Sequence, residues 1–227
     1  MSNNFQSAEE AKAEHILRMG EGLGTIYDAL WQQVAWVHGK WAEFVVVFGT
    51  KESRIELLNK TAPSFFHLVQ DSLWENVLLH VARLIDPPST GKKQNLTIQR
   101  LPALIAHEET RAKVEELVGV ALSTAGFARD WRNRHIAHSD LDLSISKTAT
   151  ALEFASRQKV IEALEALAKV LNAVSTHYLE STSFFDQNGD GLALLYVIED
   201  GIAADKLRRE QLQKGEYKPN MFQPRDV

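Results

Sequence analysis

The chain has 227 residues, 44% of them hydrophobic and 24% charged, a balance that suits a globular fold with a sizeable core. It has no cysteine, which excludes disulfides, thiolate metal sites and thiol nucleophiles. The net charge of −5 argues against a protein that coats nucleic acid through a broad basic surface, but leaves room for a small local basic site. The start, "MSNNFQSAEEAKAEHILRMG", lacks the basic-then-apolar order of a secretory signal, and no apolar run approaches about 18 residues. We therefore expect a cytoplasmic, non-membrane protein.

The hydrophobic pattern is helical almost throughout. A first helical region covers 7–48, loosened around Gly20, Gly22 and Gly24, and its end "FVVVF" reads as buried helix closed by Gly49. A short helix follows at 51–61. Pro63 suits the first turn of the next, a core helix with Phe66, Leu73, Val77 and Leu84 at helical spacing, which stops at Pro87-Pro88. "PPSTGKKQN" at 87–95 reads as a loop, and Thr97 as the cap of a short helix to 106. Glu108 opens a longer helix to 138, and 139–154 reads as a connection. Ser156 precedes an amphipathic helix over 157–182, with Val160, Ile161, Leu164, Leu167, Val170, Leu171 and Val174 on one side. A last helix spans 191–213, followed by an extended tail. With no internal repeat, the simplest architecture is one all-α bundle with appended terminal helices.

Two motifs are decoys. "DQNGDG" at 186–191 imitates a calcium loop, but the twelfth position, where a bidentate glutamate belongs, is Val197; the stretch reads instead as a turn in which Asp190 caps the helix that follows. "STGKK" at 89–93 lacks the strand and the earlier glycine of a phosphate-binding loop.

The chemistry concentrates in "ARDWRNRHIAHSD" at 128–140. RNA is cut without metal when a base activates the ribose 2′-hydroxyl, an acid protonates the leaving oxygen and a cation stabilises the phosphorane. Histidine, with an unperturbed pKa of about 6.5, fits the proton transfers, and the arginine fork fits the phosphate. Arg134 and His138 share a helical face, as do Arg132 and His135, whereas Arg132 and His138, six apart, fall out of register on a straight helix and would converge only at a frayed end or through a partner chain. His135, His138 and Asp142 offer too few ligands for a metal, and we expect no metal and no cofactor. Arg83 and Asp86, three apart in "ARLIDPP", read as a structural bridge that joins the site only if it reaches Arg132 or His138. Asp140 either orients His138 or caps a loop. His80, His107 and His177 read as isolated surface or interface residues, and Trp31, Trp36, Trp41 and Trp74 as core; Trp131 is the one candidate for base stacking.

Arg132-Asn133 followed by His138 resembles the Arg-x(4–6)-His motif of the HEPN superfamily, and the wider chain is similar to its AbiU-like branch, associated with abortive phage infection. The resemblance is carried by "APSFFHLVQDSLWENVLLHVARLIDPP", "NLTIQRL", "RDWRNRHIAHSDL" and "LALLYVIEDG". It implies an all-α HEPN-like bundle that dimerises around the motif, here over 25–183, with an N-terminal helical extension at 1–24 and a C-terminal helix and tail at 184–227. It also implies a metal-independent endoribonuclease or a silent RNA-binding relative. Arg132 would stabilise the phosphate, His138 would transfer protons, and Asn133, Arg134, His135, Asp140, Arg83 and Asp86 would support them. Some nuclease branches carry a tyrosine two residues after the histidine; this chain has Asp140, which counts against any chemistry through that tyrosine.

Two functions compete: a homodimeric ribonuclease of phage defence or stress response, and a non-catalytic helical dimer that binds RNA or protein. The sequence names no regulatory partner. A buried His138 would favour the second.

Overall fold

Apolar residues at helical spacing organise nearly all the regular structure. The computed structural model describes residues 7–138, 140–145, 150–185 and 189–216. Apart from one two-residue-per-strand hairpin, the regular elements among these residues are helices, and the fold is all-α. None of the described helices is long and apolar enough to cross a membrane. The chain divides into two compact units, residues 1–41 with 72–187 and residues 42–71 with 188–227.

In the first unit, α1 (Ala8–Met19) starts at Ser7, whose hydroxyl and the Glu10 carboxylate cap each other's backbone N–H groups. Gly20 adopts φ 80°, a left-handed conformation that ends α1, and α2 (Glu21–Phe44) begins at the next residue. The loosening expected over three glycines is thus one break. Gly24 lies inside α2 because α1 crosses there: a Cβ would stand 2.6 Å from the His15 carbonyl oxygen and the Ile16 Cα.

The core of this unit is set by α4 (Pro63–Leu84, from Ser72 onward), α6 (Glu108–Thr124) and α9 (Arg157–Leu179), together with α2. Val160, Leu164, Leu167, Val170, Leu171 and Val174 of α9 are all buried, and α9 packs most extensively on α6. At about 1.5–3 kcal/mol per buried aliphatic side chain, that stripe contributes on the order of 10 kcal/mol against the entropy of ordering the chain. From α2 and α4, Leu30, Val34, Val37, Val77, Leu78 and Val81 are fully inaccessible.

Between α4 and α6, the stretch expected to be loop forms a hairpin, β1 (Ser89–Thr90) against β2 (Lys93–Gln94), turned by Gly91 at φ 59°. A 3₁₀ turn at Ile98–Arg100 leads into α5 (Leu101–Leu104).

The single helix expected from Glu108 to 138 is three pieces. Ala125, at φ −93° and ψ 5°, separates α6 from α7 (Gly126–Trp131), and α7 passes into a π-helical turn at Arg132–Ile136. The expected connection after 138 holds a further short helix, α8 (Leu141–Ile145).

The second unit contains the π-helical end of α2 (Val45–Gly49), α3 (Glu52–Thr61), the first turns of α4 and α10 (Gly191–Gln213) around Val47, Leu58, Phe66 and Leu195. Asp190 does not cap α10 with its side chain. The Glu43 carboxylate does so instead, accepting from the N–H groups of Asp190 at 2.7 Å and Gly191 at 2.9 Å. A carboxylate reaches both orphan donors and complements the helix dipole, which the short side chain of Asp190, in αR backbone, does not do here. Three residues of the calcium-like "DQNGDG", 186–188, lie outside the described residues.

Candidate active site

The site is built on the end of α4. A helix leaves its last carbonyls without intrahelical partners, and Pro87-Pro88 supply no N–H to continue the ladder. Side chains from two later segments take over. The Thr97 hydroxyl donates to the Leu84 carbonyl at 2.9 Å, and the Gln99 amide donates to the carbonyls of Ile85 at 2.8 Å and Asp86 at 2.9 Å. Arg129 donates through Nη2 to the Ile85 carbonyl at 2.6 Å. Arg100 and Asn95 bind the carbonyls of Pro88 and Pro87. These bonds tie "RLIDPP", "NLTIQRL" and "RDW" into one polar knot over a closed apolar floor that includes Ile85, Ile98 and Phe127.

Asp86 is 8% exposed, and its Oδ2 accepts from Arg132 Nη1 at 2.7 Å. The Arg83 to Asp86 bridge expected from their spacing is not formed: Arg83 is exposed, and Asp86, one residue past the helical turn, faces Arg132 across the knot. Through Nη1 Arg132 makes its one hydrogen bond among the described residues. Asp86 Oδ1 and the Nε atoms of Arg129 and Arg132 are buried without a protein partner among those residues, so the pair retains hydrogen-bonding capacity.

The neighbouring ionisable side chains of the motif also have partners. Arg134 binds the carbonyls of Thr150, at 2.5 Å, and Ala151, and lies 3.6 Å from Asp130 and 3.5 Å from Asp140. His135 stands 3.3 Å from Glu75 and edge-on to Trp131. Trp131 donates to the Glu153 carbonyl at 2.8 Å, and the Glu153 N–H donates to Asp130. Asp140 accepts from the Leu143 N–H at 3.0 Å; that bond, with Arg134 alongside, holds its carboxyl below the usual range. Asp140 therefore serves α8 and Arg134. The concentration of charge in the motif is a largely neutralised network, consistent with the overall charge.

His138 stands apart. The π turn closes with the Ala137 N–H on the Arg132 carbonyl at 2.9 Å, and His138 follows in a bend, exposed. Helical register no longer governs its direction, and its ring has no hydrogen-bond partner among the described residues. Asn133 is likewise exposed on the π turn. No hydrogen bond joins Arg132 to His138. Among the described residues no set of three His, Asp or Glu side chains is placed to hold a metal ion.

A family model, HEPN_AbiU2, described as AbiU2, matches residues 20–192. The chain belongs to the HEPN AbiU2 family. Comparison with curated proteins and with solved structures found no match. The matched span contains Asp86, Arg132, His138 and the residues around them. Several HEPN-fold contacts carried no separable signal in the sequence: Thr97, Gln99 and Arg129 stood inside quoted segments, but only the fold shows that they serve the end of α4.

Three isolated-looking histidines also find partners. His107 and His177 stack at 4.4 Å, with His107 capping α6. His80 is buried rather than at the surface, its Nε2 2.9 Å from the Gln33 amide oxygen and its Nδ1 3.4 Å from Lys40 Nζ. Burial, then Lys40 and Arg83, push its pKa down to about 4. The ring is accordingly neutral, with Nε2–H donating to Gln33 and Nδ1 accepting from Lys40. Trp36, expected in the core, is 64% exposed.

Proposed function

We propose that this HEPN-family chain is a metal-independent endoribonuclease of phage defence or stress response, acting through Arg132 and His138 at the groove of a homodimer. The exposure of His138 carries the reading: an imidazole open to solvent exchanges protons with a substrate, and a buried one does not. Arg132 meets the phosphate. Its guanidinium is oriented by Asp86 through one Nη, which leaves the fork partly available for a phosphoryl oxygen.

The ribose 2′-oxygen attacks the adjacent phosphorus. The 2′-proton passes to a neutral imidazole, the bond to the 5′-oxygen breaks, and that oxygen takes a proton from an imidazolium. The products are a 2′,3′-cyclic phosphate and a 5′-hydroxyl. One imidazole does not serve as base and acid in the same step, so two-fold pairing of the motif supplies the second His138. The neutralised network around the site suits a short RNA footprint, with affinity falling as salt rises.

One observation favours a second reading, a non-catalytic RNA-binding or protein-binding dimer: the Arg132 side chain is only 21% exposed and is already paired with Asp86. Incubating total RNA in EDTA with the wild type, Arg132→Ala and His138→Ala separates the two. Cleavage by the wild type alone supports the nuclease. Intact RNA in all three reactions supports the binding module.

A further inference from the structure

One face of the first unit joins an exposed aromatic ring to unmatched positive charge. On α2, Gln33, Trp36 and Lys40 follow helical spacing, and on α4 so do Asn76, His80 and Arg83. Lys40 links the two rows: its ammonium donates to Asn76 Oδ1 at 2.7 Å, approaches His80 Nδ1 at 3.4 Å and lies 5.8 Å from the centre of the Trp36 ring. No carboxylate pairs with Lys40 or Arg83 among the described residues. Burial first, and then the charges of Lys40 and Arg83, push His80 towards its neutral form; burial first, and then Arg83, lower the pKa of Lys40. Asp86, the partner of Arg132, lies three residues beyond Arg83.

We propose that Trp36, Lys40 and Arg83 form a subsite for single-stranded RNA, with an unpaired base stacked on the Trp36 indole and the adjoining phosphate held by the two cations. The ring is free to stack because it is 64% exposed, and stacking on an aromatic face is tolerant of base identity. Lys40 and Arg83 supply a phosphate contact beyond the one assigned to Arg132. The subsite rests on RNA being the ligand, but not on its being cleaved.

The test is fluorescence anisotropy of a labelled single-stranded oligoribonucleotide in EDTA, with His138→Ala protein to prevent turnover. In that background Trp36→Ala should raise Kd at least about fivefold, the low end for one lost stack. Lys40→Gln with Arg83→Gln should weaken binding and reduce the slope of log K against log salt by about 0.7, the value for one phosphate contact on a single strand. Trp36→Phe should keep most of the affinity. Light scattering and Tm run beside each variant. If affinity and salt slope match the background protein, the subsite is refuted, whatever the nuclease assay shows. Loss of dimer mass without change in RNA affinity would make the face a protein interface and equally overturn it. Loss of binding by these variants in a protein that never cleaves RNA would uphold the subsite while removing the catalytic reading.

Discussion

Acidification should destabilise this protein through His80. The ring is 6% exposed, and its pKa falls from the ordinary 6.5 to about 4 because burial and the charges of Lys40 and Arg83 disfavour the imidazolium. In the unfolded chain it titrates near 6.5. Between these values the unfolded state binds the extra proton, so the contribution of neutral His80 is complete above about pH 6.5 and is lost as pH falls towards 4. Linkage across that interval gives at most about 2 kcal/mol lost between pH 7.5 and pH 5. Solvent screening around Lys40 lowers this to about 1 kcal/mol. Urea unfolding of wild type and His80→Gln at both pH values isolates the effect, since other titrating groups are common to the two proteins. The wild type should lose about 1–2 kcal/mol more than the variant on acidification. Parallel losses would refute the placement of a neutral ring between Gln33 and Lys40.

Other positions give sharper structural tests. Asp86→Ala leaves Arg132 half-buried without its partner and should cost about 2–4 kcal/mol in urea unfolding, whereas a cost under about 0.5 kcal/mol would show that the pair does not hold the knot together. Glu43→Gln removes the charge from the cap of α10; we expect about 1 kcal/mol in unfolding and faster amide exchange at Asp190 and Gly191, and unchanged exchange there would contradict the cap. Gly24→Ala gains helix propensity but drives a methyl to 2.6 Å from α1 backbone, so Tm should fall, with a loss of about 1–3 kcal/mol; a rise in Tm would mean that the helices do not approach so closely.

The sequence disclosed what depends on local pattern. The span of α10 follows from its pattern, although Glu43 and not the expected Asp190 caps it, the start of α4 follows from Pro63, and the apolar stripe of α9 is buried as its spacing requires, with Ile161 only half-covered. Trp36 shows a pattern applied too loosely: five residues from Trp31 and five from Trp41, it lies roughly 140° around the helix from each, so the three rings never shared one face. The π turns at Val45 and Arg132 shift hydrogen bonding by one residue without any change in residue type, and so left no trace. Long-range pairings were equally silent. Glu43 reaches Gly191 across 148 positions and His80 reaches Gln33 across 47.

At the site, the Arg132 and His138 spacing was legible, but the role of its surroundings was not. Asp86 was visible as a carboxylate near a helix end, and its partner depended on how α7 returns across α4. Arg134 and His135 looked like chemistry and are instead matched by Asp130, Asp140 and Glu75. A run of ionisable residues does not reveal which of its charges are already neutralised.

The central claim is that exposed His138 moves protons at a ribose phosphate. The most direct measurement is analysis of RNA ends after incubation in EDTA with wild type and with His138→Ala, both first matched in Tm and in mass. The account predicts 2′,3′-cyclic phosphate ends from the wild type and none from the variant. Equal cleavage by both proteins, or wild-type products lacking the cyclic phosphate, would contradict it.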